Sequence, residues 1–447
     1  MLKITPSKEI KGQVALAPNP DLFALTLATA ACLRVPVTVS PVERTPLIDS
    51  LIEPFAGVAD CRFTGDTCSI AIRDGAPADV ITLPVSYPFR DFVFFMLLAS
   101  GRKIHCLSPG EKRKDAWVAA ARRMHCRLDA AASENGTLLS LCPDPEFLPP
   151  SAMVGPDDHP AIIGAALGFK RALTFETDAV FVNPMRHLLP LFGFGLTVKS
   201  AQPDRVRDPI ARRIQRMTGK KEAAGTQSFT VSFDFTVPCS AQVAVTLPGD
   251  DVLGALLIAA KGIIQKGSLV IDNLPLEPWN TQMLQYVRRM GCTPGIQETG
   301  DTSFGACGMV QMQRFDPAGR RIDCLPVCQY ERQLAPMVAL ALFAEGETVL
   351  RGMEELRFDD PDMLAMHMRC LSLINAHTGE MPDGIVLKGA KQYDGFDLPQ
   401  DLPAPVAAAY AVAGMKCIGG ATVGDGQIVR RWPRFAELIQ SISEFRT

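Results

Sequence analysis

Residues 335–363, APMVALALFAEGETVLRGMEELRFDDPDM, constrain the fold more than any other part of this chain. Small and aliphatic residues fill 335–344, Gly346 breaks the pattern, the apolar run Thr348-Val349-Leu350 follows, and Pro361 opens a second periodic segment. This order predicts helix, tight turn, strand, loop and helix. Pro336 suits a first helical turn, where its missing N–H would have had no intrahelical partner. Gly346 suits the left-handed position that ends a helix, and the β-branched pair Thr348 and Val349 favours a strand after it. One such unit buries a single face of its helix and is not stable alone, so it requires copies of itself.

The copies are present. Downstream of Pro248 the chain reads PGDDVLGALLIAAKGIIQKGSLVIDNLPLEPWNTQMLQYVRRMGC, an Ala/Leu helix, then Gly267, a strand at 269–271 and a helix starting near Pro278. A third version, PVAAAYAVAGMKCIGGATVGDGQIVRRWPRFAELIQSI, begins at Pro405, its second helix announced by Pro433. Weaker versions lie upstream. They are DLFALTLATAACLRVPVTV from Asp21, DFVFFMLLASGRKIHCL from Asp91 with a helix around Trp117, and PAIIGAALGFKRALTF from Pro160 with a helix after Pro184. Self-similarity at this long period predicts one supersecondary unit stacked repeatedly, and 447 residues divide naturally into two domains.

Composition narrows the function classes. A 47% hydrophobic fraction, 21% charged residues and a formal net charge of −3 describe an ordinary soluble globular protein. No nucleic-acid partner is expected, because polyanion binding needs clustered Lys and Arg to displace counterions. The basic runs at 111–114 and 205–221 read as solvated helix or loop faces. The first twenty residues, MLKITPSKEIKGQVALAPNP, lack the basic head, apolar core and small-residue cleavage site of a signal peptide. No stretch reaches the ~18 apolar residues of a membrane helix, residues 91–100 being too short. Thirteen cysteines, an odd number with no C-x-x-C pair, read as free thiols in a reducing cytoplasm. Cys324 and Cys328 have no His at ligand-like spacing, so no metal is expected, and no other cofactor.

The run FAEGETVLRGMEELR, the earlier LPGDD, the MGC after a helix at Met290, and WPRF before the last helix together resemble the enolpyruvyl transferase family, and within it the EPSP synthases. The resemblance runs the length of the chain and is clearest after Pro248. It implies an α/β fold, a two-domain inside-out α/β barrel with three βαβαββ-type repeats per domain and the site in the cleft between them. Residues 14–243 would form one domain and residues 1–13 with 244–447 the other, so that the chain crosses twice. The implied reaction transfers the enolpyruvyl (1-carboxyvinyl) group of phosphoenolpyruvate to a hydroxyl of shikimate 3-phosphate or a related alcohol, a step of the shikimate pathway to chorismate and the aromatic amino acids. The family protonates the enol carbon, lets the hydroxyl attack the resulting cation, and expels phosphate from the adduct.

Carried over residue by residue, the resemblance keeps some site positions and loses others. Where the family has Lys-Ser and a later Arg, this chain has APNPDLFAL. In the second repeat the turn becomes Val85-Ser86-Tyr87-Pro88-Phe89-Arg90, which leaves Arg90 as an anion-binding candidate, with Asp91 as its alternative ion-pair partner. The phosphate-holding Ser-Ser-Gln falls near Asp157-Asp158-His159, where carboxylates would repel a phosphate. LPGD is kept at 247–250, but the Ser pair after it becomes Val252 and Leu253. The family's acids before the helix proline become Gln333 and Leu334, and an amide cannot return a proton. Glu331 stands two residues away as the replacement candidate. In Leu356-Arg357-Phe358-Asp359-Asp360-Pro361-Asp362-Met363, Arg357 and an acid at Asp360 remain, while a Lys has become Asp359 and an Arg has become Met363. Another Arg is lost at Asp401-Leu402-Pro403, and the family's late Lys aligns with Arg430.

Phosphoenolpyruvate and shikimate 3-phosphate together bring two phosphates and two carboxylates. At an effective dielectric of about 20, one charge pair at 4 Å is worth roughly 4 kcal/mol before desolvation, so losing several cations weakens that pair's binding severely. Arg90, Arg357 and Arg430 would suit one smaller anion, such as phosphoenolpyruvate or another carboxylate or phosphate. Two readings stay open. One is a divergent carboxyvinyl transferase with Glu331 or Asp360 as proton carrier. The other is a non-catalytic relative, a pseudoenzyme, that closes on another anion or on a protein. A third reaction on the same fold, transfer to a nucleotide sugar, would need a reactive cysteine, for which Cys106 and Cys126 are candidates by position.

Overall fold

The computed structural model describes residues 1–73, 80–107, 109–134, 136–143, 159–177, 184–201, 228–234, 242–323, 333–358 and 362–445. Each repeat is led by an apolar helix. These are Pro20–Leu33, Arg90–Ala99 and His159–Phe169 in the first half, and Asp251–Ile263, Leu334–Ala341 and Ala404–Gly414 in the second. A helix that is apolar on every side must be covered on every side. Residues 252–263 and 334–341 are buried without a break, so the helices occupy the inside of each half and the sheets cover them. The fold is the inside-out α/β type in two parts.

The punctuation read from the sequence is where the chain turns. Gly346 has φ 88° and ends the helix before strand Glu347–Arg351. The second helices of the repeats include Glu111–Arg123, Met185–Leu191, Met363–Leu373 and Phe435–Ile442. Near Pro278 the chain first makes a 3₁₀ turn, Pro278–Asn280, and the α-helix begins only at Gln282–Arg289. The basic run 205–221 lies outside the described residues.

One sheet plan recurs in both halves, a parallel pair at one edge extended by antiparallel strands. Val243–Thr246 runs parallel to Val37–Ser40, which continues antiparallel to Thr67–Ile72 and Ala59–Thr64. Gly12–Ala15 runs parallel to Leu269–Pro275, which continues antiparallel to Gly305–Met312 and Gly295–Thr302. The chain therefore lends its early strand to the second half and a middle strand to the first half. Two hydrophobic cores result. One gathers Ile4, Ile10, Val14 and Leu16 with residues between Val252 and Ile442. The other gathers residues from Leu22 to Leu247 and also takes Trp279 and Phe304 from the second half. Among the described residues, no helix is long and apolar enough to cross a membrane, and no group of three His, Cys, Asp or Glu is placed to hold a metal ion.

Candidate functional site

The two crossings lie against each other. Ala17-Pro18-Asn19 and Pro248-Gly249-Asp250 run antiparallel, with the Asn19 N–H donating to Pro248 O at 3.0 Å and the Asp250 N–H to Ala17 O at 2.7 Å. A Cβ on Gly249 would sit 2.4 Å from Asn273 O and 2.6 Å from Leu16 Cβ, so only glycine lets the turns approach this closely. Each turn ends in a helix cap. Asn19 Oδ1 accepts from the N–H groups of Asp21 and Leu22, and Asp250 Oδ1 from those of Val252 and Leu253. Such caps satisfy first-turn N–H groups that have no intrahelical acceptor. Two helix N-termini, one from each half, thus start side by side.

A charged network fills this junction. The Arg431 guanidinium donates from Nη1 to Asp21 Oδ1 at 3.1 Å and from Nη2 to Asp21 Oδ2 at 2.6 Å. Nη2 also reaches Asp250 Oδ1 and Oδ2 at 3.2 and 3.0 Å, and Trp432 Nε1 donates to Asp250 Oδ2 at 2.9 Å. All three charged side chains are buried, and Arg431 stacks over the Trp432 ring with 5.0 Å to its centroid. Beside them, Asp251 Oδ1 accepts from Asn19 Nδ2 at 2.7 Å and Oδ2 from Gln333 Nε2 at 2.6 Å. Gln333 is buried and fully engaged. Its Nε2 also donates to Asn280 O at 3.1 Å, and its Oε1 accepts from the Met283 N–H at 3.2 Å.

The Asp251 residue keeps an exposed edge, but its carboxylate is enclosed. Burial and the neighbouring Asp250 push it up to about 6, against the hydrogen bonds from Gln333 and Asn19 and the charge of Arg431. A carboxyl raised on folding holds its proton more tightly in the folded chain. Its contribution is therefore full below the unfolded value near 4 and is lost as pH rises through about 6. The expected size of that loss is on the order of 2 kcal/mol. Urea unfolding at pH 4.5 and pH 7.5 checks it, since the difference between wild type and Asp251→Ala should shift by that amount between the two pH values. An unchanged difference would show that Asp251 titrates normally.

The described members of the predicted set, Arg90, Arg357 and Arg430, are not part of this network. Arg90 lies at the start of helix Arg90–Ala99, where Nε donates to Asp91 Oδ1 at 3.2 Å, Nη1 donates to Val85 O at 2.9 Å, and the guanidinium lies 6.0 Å from the Trp117 ring centroid. Arg357 pairs with Asp362 at 3.3 Å and Glu380 at 2.5 Å and also donates to Pro382 O and Met381 O. Arg430 is exposed at the end of helix Gly426–Arg431. Glu331 and Asp360 lie outside the described residues, as do Asp157 and Asp158. Cys106 and Cys126 are both buried. The structure thus does not bring Arg90, Arg357 and Arg430 together by any direct contact, whereas it assembles Asn19, Asp21, Asp250, Asp251, Gln333 and Arg431. Of these, Arg431 has only a weak sequence signal, its spacing of three from the buried Ile428.

Comparison with known proteins identifies the architecture. The family model described as EPSP synthase (3-phosphoshikimate 1-carboxyvinyltransferase) matches residues 192–439, more than half of the chain. This chain belongs to the EPSP synthase family. A 3-phosphoshikimate 1-carboxyvinyltransferase of Desulforudis audaxviator is 25% identical over 246 residues, covering 54% of this chain and 57% of that protein. One from Synechococcus sp. is 28% identical over 202 residues, 44% of this chain and 45% of that one. The matched sequence thus spans about half the length of these curated relatives. Over the whole chain the likeness is one of fold. EPSP synthase from Acinetobacter baumannii superposes with a TM-score of 0.67 at 14% identity, covering 99% of this chain and 98% of that one. The enolpyruvyl transferase NikO from Streptomyces tendae gives 0.63 at 15%, with coverage of 99% and 98%. In this member of the EPSP synthase family, the junction of the two halves carries three carboxylates around one guanidinium.

Proposed function

We propose that this chain is a divergent member of the EPSP synthase family that keeps the two-part clamp, does not transfer the 1-carboxyvinyl group of phosphoenolpyruvate to shikimate 3-phosphate, and closes instead on a different small anion. The observation that carries the reading is Gln333. By the family resemblance it stands where a proton-transferring acid belongs, and here its amide is locked by Asp251, Asn280 O and the Met283 N–H. Two further features support it. Pro20 and Asp21 occupy the Lys-Ser stretch, and Asp21 and Asp250 neutralise Arg431, which lies against the paired helix starts. A substrate pair rich in phosphate and carboxylate needs cations that are not already engaged.

A second reading is favoured by Asp251. A carboxyl near 6 beside Gln333 is suited to accept and return a proton, which would let a carboxyvinyl transfer to a related alcohol proceed through a relocated acid. Phosphate release from purified protein with phosphoenolpyruvate and shikimate 3-phosphate tests both. The expected result is no release above that with either substrate alone. Release that needs both substrates and collapses in Arg357→Ala would overturn the first reading. A pH limb near 6 that disappears in Asp251→Asn would then establish the second.

A further inference from the structure

Helix Pro20–Leu33 starts at the Arg431 junction, so its last turn lies about 20 Å away at the far end of the first half. Two other inner helices end beside it. The Cys32 thiol donates to Met96 O at 3.7 Å and Arg102 Nη2 to Ala31 O at 3.3 Å, which ties this turn to the end of helix Arg90–Ala99. A Cβ on Gly168 would sit 2.9 Å from the Ser100 N, which sets the end of helix His159–Phe169 against the same place. Three helix C-termini therefore share one end of the first half, each with a partial charge of about −0.5.

Cations gather at these ends. Arg34 follows the first helix and Lys170 the third, both exposed and both in the left-handed region, with φ 59° and 54°. Arg102 lies beneath them. It is only 6% exposed, and its Nη1 is buried without a hydrogen-bond acceptor. Burial and the charge of Arg34 hold the guanidinium below its ordinary value, against the Cys32 thiol. That thiol supplies no counter-charge. Burial pushes it up to about 11, against Arg102, Ser100 and Lys170, so it keeps its proton at neutral pH. Among the described residues, Arg34, Arg102 and Lys170 form no ion pair with a carboxylate. A buried cation without a partner costs several kcal/mol, and a buried donor without an acceptor calls for one. Three cations set against the three helix ends leave a surplus of about one and a half positive charges.

We infer that this end of the first half binds a small tetrahedral oxyanion, phosphate or sulfate, anchored from below by Arg102 Nη1 and clasped at the surface by Arg34 and Lys170. A tetrahedral oxyanion presents an acceptor oxygen to each of three donors at once, and its charge at neutral pH matches the surplus. Chloride does neither. The site shares no residue with the junction or with the predicted cleft set, so it stands apart from the proposed function.

Calorimetric titration of the full chain with phosphate, sulfate and chloride at matched ionic strength tests the inference. Phosphate or sulfate should bind saturably and at least about tenfold more tightly than chloride, and the stronger of the two identifies the ligand. Arg34→Asn combined with Lys170→Asn should weaken that binding about tenfold, by removing two charge-assisted bonds while asparagine keeps the left-handed backbone. Arg102→Met should abolish it, together with the rise in unfolding midpoint that the anion causes in wild type. Arg357→Ala, which alters the second half, should bind the anion as wild type does. No saturable binding, or binding that the paired Asn variant leaves unchanged, refutes the site. Binding lost in Arg357→Ala but kept in the paired variant belongs to the cleft and refutes it too. If Arg102→Met does not fold, the paired variant decides alone. None of these outcomes alters the proposed function, which phosphate release with the two substrates tests separately.

Discussion

Arg431→Ala is expected to lower the unfolding free energy by about 3–5 kcal/mol, the cost of leaving buried charges without their partner. The guanidinium contacts both Asp21 and Asp250, and both carboxylates are almost fully enclosed, at 3% and 1% exposure. Truncating the arginine strands two anions in one dry junction. Arg431→Lys should recover only part of the loss, because an ammonium cannot present a planar fork to two carboxylates. The check is a set of urea titrations that adds Asp21→Asn and Asp250→Asn to an Arg431→Met chain. Asparagine at 250 still caps helix Asp251–Ile263, so the triple variant should regain most of the stability. If Arg431→Ala alone costs less than about 1 kcal/mol, the network is a surface-like pair rather than a buried one.

Gly164→Leu is expected to be of similar severity, about 3 kcal/mol or more. Helix His159–Phe169 lies backbone to backbone against helix Arg90–Ala99. A Cβ at Gly164 would meet Phe92 O at 2.3 Å, and one at Gly168 would meet Met96 O at 2.3 Å and Ala99 Cβ at 2.7 Å. A carbonyl oxygen inside a helix cannot move aside as a side chain would, so the two helices must separate and the first core must open. Gly65→Asn is the matched control. Gly65 has φ 61°, where asparagine is tolerated, and a Cβ there meets nothing within 4 Å, so its cost should be a few tenths of a kcal/mol. Equal urea midpoints for the two variants would show that the helices are not in the contact described.

Local rules make the repeats legible in the sequence. Gly346, Pro336 and the Thr348-Val349 pair each act within a few residues, and each element they announce is present in the fold. The locked amide at Gln333 is also readable, as an amide in an acid's place. The junction is not, because its partners are far apart in the chain. Asp21 and Arg431 are separated by 410 positions, and no periodicity reports such a pairing. The neighbouring arginines show the difficulty at its sharpest. Arg430 and Arg431 are adjacent and chemically identical, the resemblance selects Arg430, and the turn of helix Gly426–Arg431 places Arg430 in solvent and Arg431 in the core. Arg90 is readable as a cation, but whether Asp91 or a ligand holds it depends on where Trp117 packs, and the chain between them gives no sign of that.

The lending of strands between the halves has a consequence for how the protein is made. Gly12–Ala15 leaves the ribosome long before its sheet partner Leu269–Pro275 is synthesised. At about 5–20 residues per second, the early strand waits while the whole first half emerges. The first half is complete only when Val243–Thr246 arrives to pair with Val37–Ser40, and Trp279 and Phe304 must then follow to finish its core. Neither half can therefore complete its sheets and core until part of the other has been synthesised.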